Sequence, residues 1–314
     1  MDTQQGEGRP ERAVAGFWRR LGALVVDLML LGIVGFVLGA LFFDTFARMG
    51  FYARLIGFAI ALAYFGILNS RLGGGQTLGK RWLGVRVVDA HGQLLTLPRA
   101  LLRYAVLGIP FFANGMPLNP DVATSSPLGY LLALIVFGGM FAIVYLYIFN
   151  RRTRQSLHDL AVGSYVERFD RAAQPVPFPV VWRGHLVALA VIAVIALSAP
   201  VVASRFAKSQ ALAGILPLYR TLSTQPHVMT AQVQRGWMSV NGHTTHSLQA
   251  ALRLDAPLTD DDAMARRIAQ QMAKGDPDIA KEDVVVVTLV YGYDMGIASG
   301  WKRHGYSFKP GELL

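Results

Sequence analysis

Apolar positions form long unbroken blocks over the first two thirds of the chain and short alternating runs after that. Leu21 to Phe43 runs for 23 residues with Asp27 as its only charge. At about 1.5 Å per residue this exceeds a hydrocarbon layer of roughly 30 Å. The run is too long, and the arm before it too mixed in charge, for a cleaved signal peptide. Leu55 to Leu68 becomes a second span when Tyr52 and Ala53 are included. Leu128 to Phe149 is a third, with Tyr130, Tyr145 and Tyr147 suited to an interfacial belt, and His185 to Ala203 is a fourth, led by Trp182 and Arg183. Arg99 to Phe112 is short, apolar beyond Arg103 and interrupted by Pro110; alone it also reads as an amphipathic surface helix.

Basic residues arbitrate. The arm holds Arg9, Arg12, Arg19 and Arg20; segments 69–103 and 150–183 bring the basic total to sixteen, Arg171 among them, whereas the alternate short loops hold only Arg48 and Arg54. Positive charge collects on the cytoplasmic side, and both basic segments reach that side only if the Pro110 segment also crosses. The pattern predicts five crossings, a cytoplasmic N-terminus and an exported C-terminus.

Beyond a connector at 205–226 the pattern changes to β-type alternation. Val228 to Val240 and Ser247 to Leu254 flank Asn241-Gly242, a strong two-residue hairpin signal. Thr259 is placed to cap a helix whose first turn carries Asp260, Asp261 and Asp262 and whose Met264, Ile268 and Met272 share one face. Val284 to Tyr291 and Ile297 to Phe308 read as two further strands. The expected architecture is an all-α polytopic membrane domain of about five transmembrane helices plus a small C-terminal α+β domain, ββαββ, with its helix on an antiparallel sheet. The boundaries expected are an arm at 1–20, a membrane domain at 21–170 with a cytoplasmic β-hairpin near 73–97, a linker and last helix at 171–204, the connector, and the exported domain at 227–314.

Composition sharpens this. The 314 residues are 53% hydrophobic and 16% charged, against about 25% charged in soluble domains. The absence of cysteine removes disulfides, thiolate metal sites and cysteine nucleophiles. A net charge of +10 would suit nucleic acid, but most of the excess sits at the membrane flanks, so no nucleic-acid partner is expected.

Three stretches carry a resemblance: FWRRLGALVVDLMLLG at 17–32, GGGQTLGKRWLGVRVVDAHGQ at 73–93 followed by RALLRY, and RRTRQSLHDLAVGSYV at 151–166. Together they resemble the RDD family of prokaryotic membrane proteins, named for one arginine and two aspartates, here matched by Arg20, Asp27 and Asp159. Gln76, Thr77, Gly79, Lys80, Arg81 and His158 belong to the same motifs; Ser164 stands where the family usually has threonine. The resemblance ends near Val166 and implies a bacterial inner-membrane location and a transport role, including sodium/proton exchange for some members.

The residues themselves leave alternatives open. A carboxylate inside a span costs roughly 2.5–3.5 kcal/mol on insertion scales unless paired or wetted. Asp27 is therefore either a cation or proton acceptor or a structural partner of another helix, with Arg20 two turns away on its face and Arg103 a further candidate. His158-Asp159 is a proton relay, or Asp159 caps a short helix or pairs with Arg152 or Arg154. The glycine-rich block at 73–81 lacks phosphate-loop spacing; Lys80, Arg81 and Arg86 are instead candidates for anionic lipid headgroups. Gly35-x-x-x-Gly39 signals close packing. In the exported domain Trp237, Tyr293, Trp301 and Tyr306 are candidates for a periplasmic or membrane protein interface. A surface metal site at His243 and His246 and a pair between Asp294 and His304 are weaker readings. No catalytic residue, metal or cofactor is expected, and the protein reads as a transporter of a small cation, proton or polar solute or as an accessory scaffold.

Overall fold

The computed structural model of the chain describes residues 14–169, 178–207, 214–240 and 243–314. Arg9, Arg12, Arg171, part of the connector, the Asn241-Gly242 turn and the His243 side chain lie outside the described residues. In chain order the elements are α1 (Phe17–Leu41), α2 (Phe43–Met49), α3 (Ala53–Leu68), α4 (Leu78–Trp82), β1 (Val85–Asp89), α5 (Leu97–Ala113), α6 (Pro120–Ser125), α7 (Pro127–Ala133), α8 (Gly139–Phe149), α9 (Leu157–Val162) and β2 (Ser164–Arg168). There follow α10 (Arg183–Ala207), α11 (Ile215–Ser223), β3 (Val228–Val240), β4 (His243–Leu254), α12 (Asp262–Gly275), β5 (Val284–Asp294) and β6 (Ser299–Phe308).

Among the described residues, four helical segments are long and apolar enough to cross a membrane: Phe17–Leu41, Phe43–Leu68, Pro127–Phe149 and Arg183–Ala207. Their apolar side chains point outward. Leu28, Met29 and Ile33 on α1 and Val187, Val194 and Ile195 on α10 are exposed, an arrangement that water penalises and lipid does not. The 17-residue α5 is shorter, about 25 Å, and carries Pro110 inside it.

The chain divides into two compact units. The first comprises residues up to Val34, Gly57–Gly115 and Ser126–Ala199. It contains a two-stranded antiparallel sheet in which β1 pairs with β2, Val87 opposite Val166. This corrects the expected hairpin near 73–97. The turn after Asp89 exists, closed by backbone bonds from Asp89 N to the Gln93 carbonyl and from Gly92 N to the Asp89 carbonyl, but the chain then enters α5 with Pro98 in its first turn. Pro98 lacks a ladder donor and suits a helix start. The strand partner comes instead from a segment nearly eighty residues on, and Ala15 adds a backbone bond to Val166. Val85, Val87, Leu95, Ala100, Val162 and Val166 form the small core beneath.

The second unit comprises Gly35–Ile56, Met116–Ser125 and Pro200–Leu314. Its four-stranded sheet has the order β3-β4-β5-β6. The expected all-antiparallel sheet is corrected here: β4 and β5 are parallel, Leu248 opposite Val285. Between them the chain passes through α12, and such a crossover returns a strand in the same direction. Met264, Ile268 and Met272 of α12 and Leu218 and Leu222 of α11 pack on Leu248, Leu252, Val285, Val287 and Leu289. The cap of α12 is Asp261, whose carboxylate accepts from Met264 N at 2.8 Å, rather than Thr259.

Candidate functional site

The buried charges of the first unit form two adjoining constellations. Asp159 is wholly buried and bridges two helices through two arginines. Arg20 Nη2 of α1 donates to Oδ2 at 2.7 Å, and Arg103 of α5 donates to Oδ1 from Nη2 at 2.6 Å and Nε at 3.0 Å. The Ser164 hydroxyl donates to Oδ1 at 3.0 Å, so serine supplies the hydroxyl at the position where threonine was expected. Local sequence sets the carboxylate: Ser156 caps α9 and Asp159 is its third residue, accepting from Ser156 N in a reciprocal capping box. Arg20 also donates to the Arg154 carbonyl, whose residue adopts φ 55°, and lies 5.4 Å from the Tyr147 ring centroid.

Against the opposing effect of burial, the Arg103 and Arg20 guanidinium groups hold the Asp159 carboxyl well below the usual carboxylate range. Burial and the nearby Arg103, Arg20 and Lys80 charges lower His158 to about 3, although Asp159 opposes them. The imidazole is neutral, and its Nδ1 has no hydrogen-bond partner among the described residues.

Asp27 is 1% exposed. It accepts from Tyr64 Oη at 2.7 Å, Thr77 Oγ1 at 2.5 Å and Gly79 N at 2.8 Å. Thr77 also caps α4 by accepting from Lys80 N. Gly79 permits this approach: a Cβ there would run into the Ala23 carbonyl and lie 2.9 Å from Asp27 Oδ1. At Gly75, φ is +73° and a Cβ would lie 2.6 Å from the Val87 carbonyl. The glycine-rich block is thus a docking loop that presents Thr77 and Gly79 to α1. Gln76 Nε2 secures it by donating to the Val85 carbonyl at 2.9 Å.

The structure brings Arg20, Arg103 and Asp159 together and assigns Asp27 other partners. The expected ion pairs of Asp27 with Arg20 or Arg103, and of Asp159 with Arg152 or Arg154, are replaced by these contacts. The reason is spacing: two turns separate Arg20 from Asp27 on one helix, while α9 delivers a carboxylate directly between α1 and α5. Lys80 Nζ donates to Asn69 at 2.6 Å, Arg81 to the Gly73 carbonyl at 3.2 Å, and Arg86 to Glu167 at 2.7 Å. These three lipid candidates therefore have internal partners. Burial, then Arg103, lowers the Lys80 ammonium to about 7, with Asp27 and Asp159 pulling the other way. Sequence reasoning missed Tyr64, Asn69 and Glu167, and also Asn150 and Gln155, which tie the loop before α9 together: Asn150 Nδ2 donates to the Gln155 carbonyl at 2.9 Å and Gln155 Nε2 to the Ser164 carbonyl at 2.8 Å. Asn69 and Asn150 had a signal, each being the polar residue that ends an apolar run.

In the second unit, three of the four expected interface aromatics are used internally. Tyr293 is 3% exposed and meets Phe43 edge-on at 5.5 Å; Gly39 leaves room for its hydroxyl. Trp301 lies under the Arg253 guanidinium at 4.9 Å, and Tyr306 donates to the Thr259 carbonyl at 3.0 Å. Trp237 alone of the four is strongly exposed, at 74%, with Met238 beside it at 67%. Asp294 pairs with Arg54 and His304 with Asp260, so those two do not meet each other. Tyr291 donates to Asp44 at 2.8 Å.

A polytopic helical membrane domain braced by buried ion pairs, followed by a mixed-sheet domain, is the class of protein this geometry defines. Residues 14–163 match the RDD family model, and this segment is an RDD-family domain. A relative is the uncharacterized protein YckC of Bacillus subtilis (strain 168), 27% identical over 152 residues, covering 48% of this chain and 83% of that one. No solved structure matches the chain.

Proposed function

We propose that this membrane protein is a non-catalytic accessory subunit. In this reading the RDD-family domain is a braced membrane base, and the C-terminal sheet domain is exported and offers a surface to a protein partner. The observation that carries the reading is the saturation of the two buried carboxylates. Asp159 is engaged by two arginines and a hydroxyl, Asp27 by two hydroxyls and an amide. Groups so engaged act as struts between α1, α4, α5 and α9, since releasing either would leave buried charge uncompensated. The exposed Trp237 and Met238 are the surface candidates for the partner, aromatic and methionine side chains being favoured at interfaces.

Five crossings, α5 included, fit this reading. Residues 35–56 and 116–125 group with 200–314, whereas the segments around β1 and β2 group with the start of α1. A 25 Å α5 is accommodated by modest thinning of the bilayer. With arginines on the cytoplasmic side, the location is a bacterial inner membrane with the C-terminal domain outside. Exposed Arg81 and Trp82 provide a place for anionic headgroups at that surface.

Purification from native membranes of the full chain and of a chain lacking 227–314 tests the proposal. A defined protein should accompany the first and be lost from the second. A lone monodisperse protein in both preparations would sink it. One arrangement favours transport as a second reading: half-buried Lys80, whose Nζ donates to Asn69 at 2.6 Å, lies in the field of the Asp27 and Asp159 carboxylates, and burial lowers its ammonium to about 7, which suits proton exchange. In sealed vesicles with a sodium or proton gradient, transport requires the wild type to dissipate it faster than Asp27→Asn or Lys80→Met. Equal slow leakage removes this alternative.

A further inference from the structure

Within the first unit, α5, α8 and α10 do not close on one another along their whole length. α5 and α8 approach at Pro110 and Gly139, where a Cβ on the glycine would lie 2.8 Å from the proline ring. The π-helical turn before α8 approaches α10 at Gly138 and Ala196, and α8 itself meets α10 where Tyr145 Oη lies 3.1 Å from His185 Nδ1. Between these contacts lies a cleft of about 400 Å³. Leu102, Val106 and Ile109 of α5, Ile135 of the π-helical turn Leu134–Gly138, and Leu189 and Ile192 of α10 line it. The π-helical turn forms part of one wall through Leu134, Ile135 and Gly138.

We propose that this cleft holds one acyl chain of a bilayer phospholipid. Every residue lining it is apolar or glycine, and it is set among helices that carry lipid-facing surfaces. Its size selects the occupant. The space is many times the roughly 10–15 Å³ needed to admit one water, so it accepts a flexible chain of several methylenes. A transmembrane helix of roughly 10–12 Å diameter does not fit. The Tyr145–His185 bond lies toward the end of α10 where Trp182 and Arg183 are exposed. An indole and a guanidinium there suit the interfacial level at which the glycerol and headgroup would rest. This inference is independent of whether the protein is a scaffold or a transporter.

The test uses the full chain in nanodiscs containing a phospholipid with a photoactivatable diazirine on one acyl chain, and in native membranes fed the same lipid. Label should concentrate on 102–109, 134–139 and 189–193 relative to the lipid-facing side of α1. A diazirine near the carboxyl end should mark Leu189, and one near the methyl end Ile109 and Leu134. Ala193→Phe and, separately, Ala105→Phe fill the cleft and should reduce this labelling to the α1 level. Val194→Phe, on the exposed face of α10, should leave it intact. Melting in detergent checks that each variant is folded. Even labelling around all helices, or labelling that survives both filling substitutions, overturns the proposal. Labelling in nanodiscs that is absent in native membranes also overturns it, since another protein's surface would then cover the cleft.

Discussion

Asp159 shows what a single carboxylate does when three chain segments meet on it. Arg103 reaches it through two nitrogens and Arg20 through a third. Asp159→Asn keeps the shape and removes the charge, leaving two buried guanidinium groups undercompensated. The expected loss is about 3–5 kcal/mol, the range for breaking a buried pair, and a lowered melting temperature of the full chain in detergent would register it. Arg103→Lys should also destabilise, because an ammonium cannot reproduce the planar two-nitrogen contact. His158 adds a pH dependence of definite sign. It is held near 3 in the fold, against about 6.5 unfolded. Between those values the unfolded chain binds more protons, so stability is retained above about 6.5 and falls as pH drops toward 3. His158→Leu should flatten the melting-temperature profile across that window, and an unchanged slope would contradict the assignment. From the sequence, Asp27 and Asp159 were recognisable as unusual because charge is rare in and beside apolar runs. Their partners were not recognisable: the nearest one in sequence, Arg20 for Asp27, was wrong, and the correct one for Arg20 lies 139 residues away.

Among the elements, α4 and the β1–β2 pair carry the first unit's organisation. Five residues of helix would not persist alone. α4 holds because Thr77 caps it while bonding Asp27, and because Gly79 lets it touch α1. Gly79→Ala should destabilise by about 1–3 kcal/mol, the usual range for overpacking, with the rigid Ala23 backbone unable to yield; chemical denaturation of the purified protein measures this. The β1–β2 pairing invites a disulfide, since the chain has no cysteine to interfere. Val88→Cys with Tyr165→Cys, directly opposed in the register, should cross-link on oxidation, so that the fragments of a chain cut between 90 and 160 stay joined until reduced. Fragments that separate without reductant would refute the pairing. The hairpin expectation failed here for an instructive reason. Alternation in Val85–Asp89 announced a strand, but Leu94, Leu95 and Leu97 suit a strand and a helix entry equally, and Pro98 decides for the helix. In the C-terminal domain the strands and α12 were all legible, whereas the parallel direction of β5 followed from which edge of the sheet the chain rejoined after α12.

For the whole molecule, threading is the consequential claim, and single-cysteine labelling checks it. Trp237→Cys and Leu314→Cys should react with a membrane-impermeant maleimide in intact spheroplasts, and Trp82→Cys only after permeabilisation. The reverse pattern, or protection of all three until lysis, would reverse or refute the five-crossing reading. The sequence by itself determined that this is a membrane protein with an RDD-family segment and an appended strand-rich domain. Lipid solubility and strand alternation are additive properties of neighbouring residues, and a linear string displays them directly. Only the tertiary structure decided which buried charge meets which, that the glycine-rich block is a docking loop, and that Tyr293 is interior, Trp301 and Tyr306 half-buried, and Trp237 exposed. Those outcomes depend on distances between segments far apart in the chain. A buried carboxylate, which must find hydrogen-bond donors or a countercharge, selects among folded arrangements by energies that no local pattern of residues records.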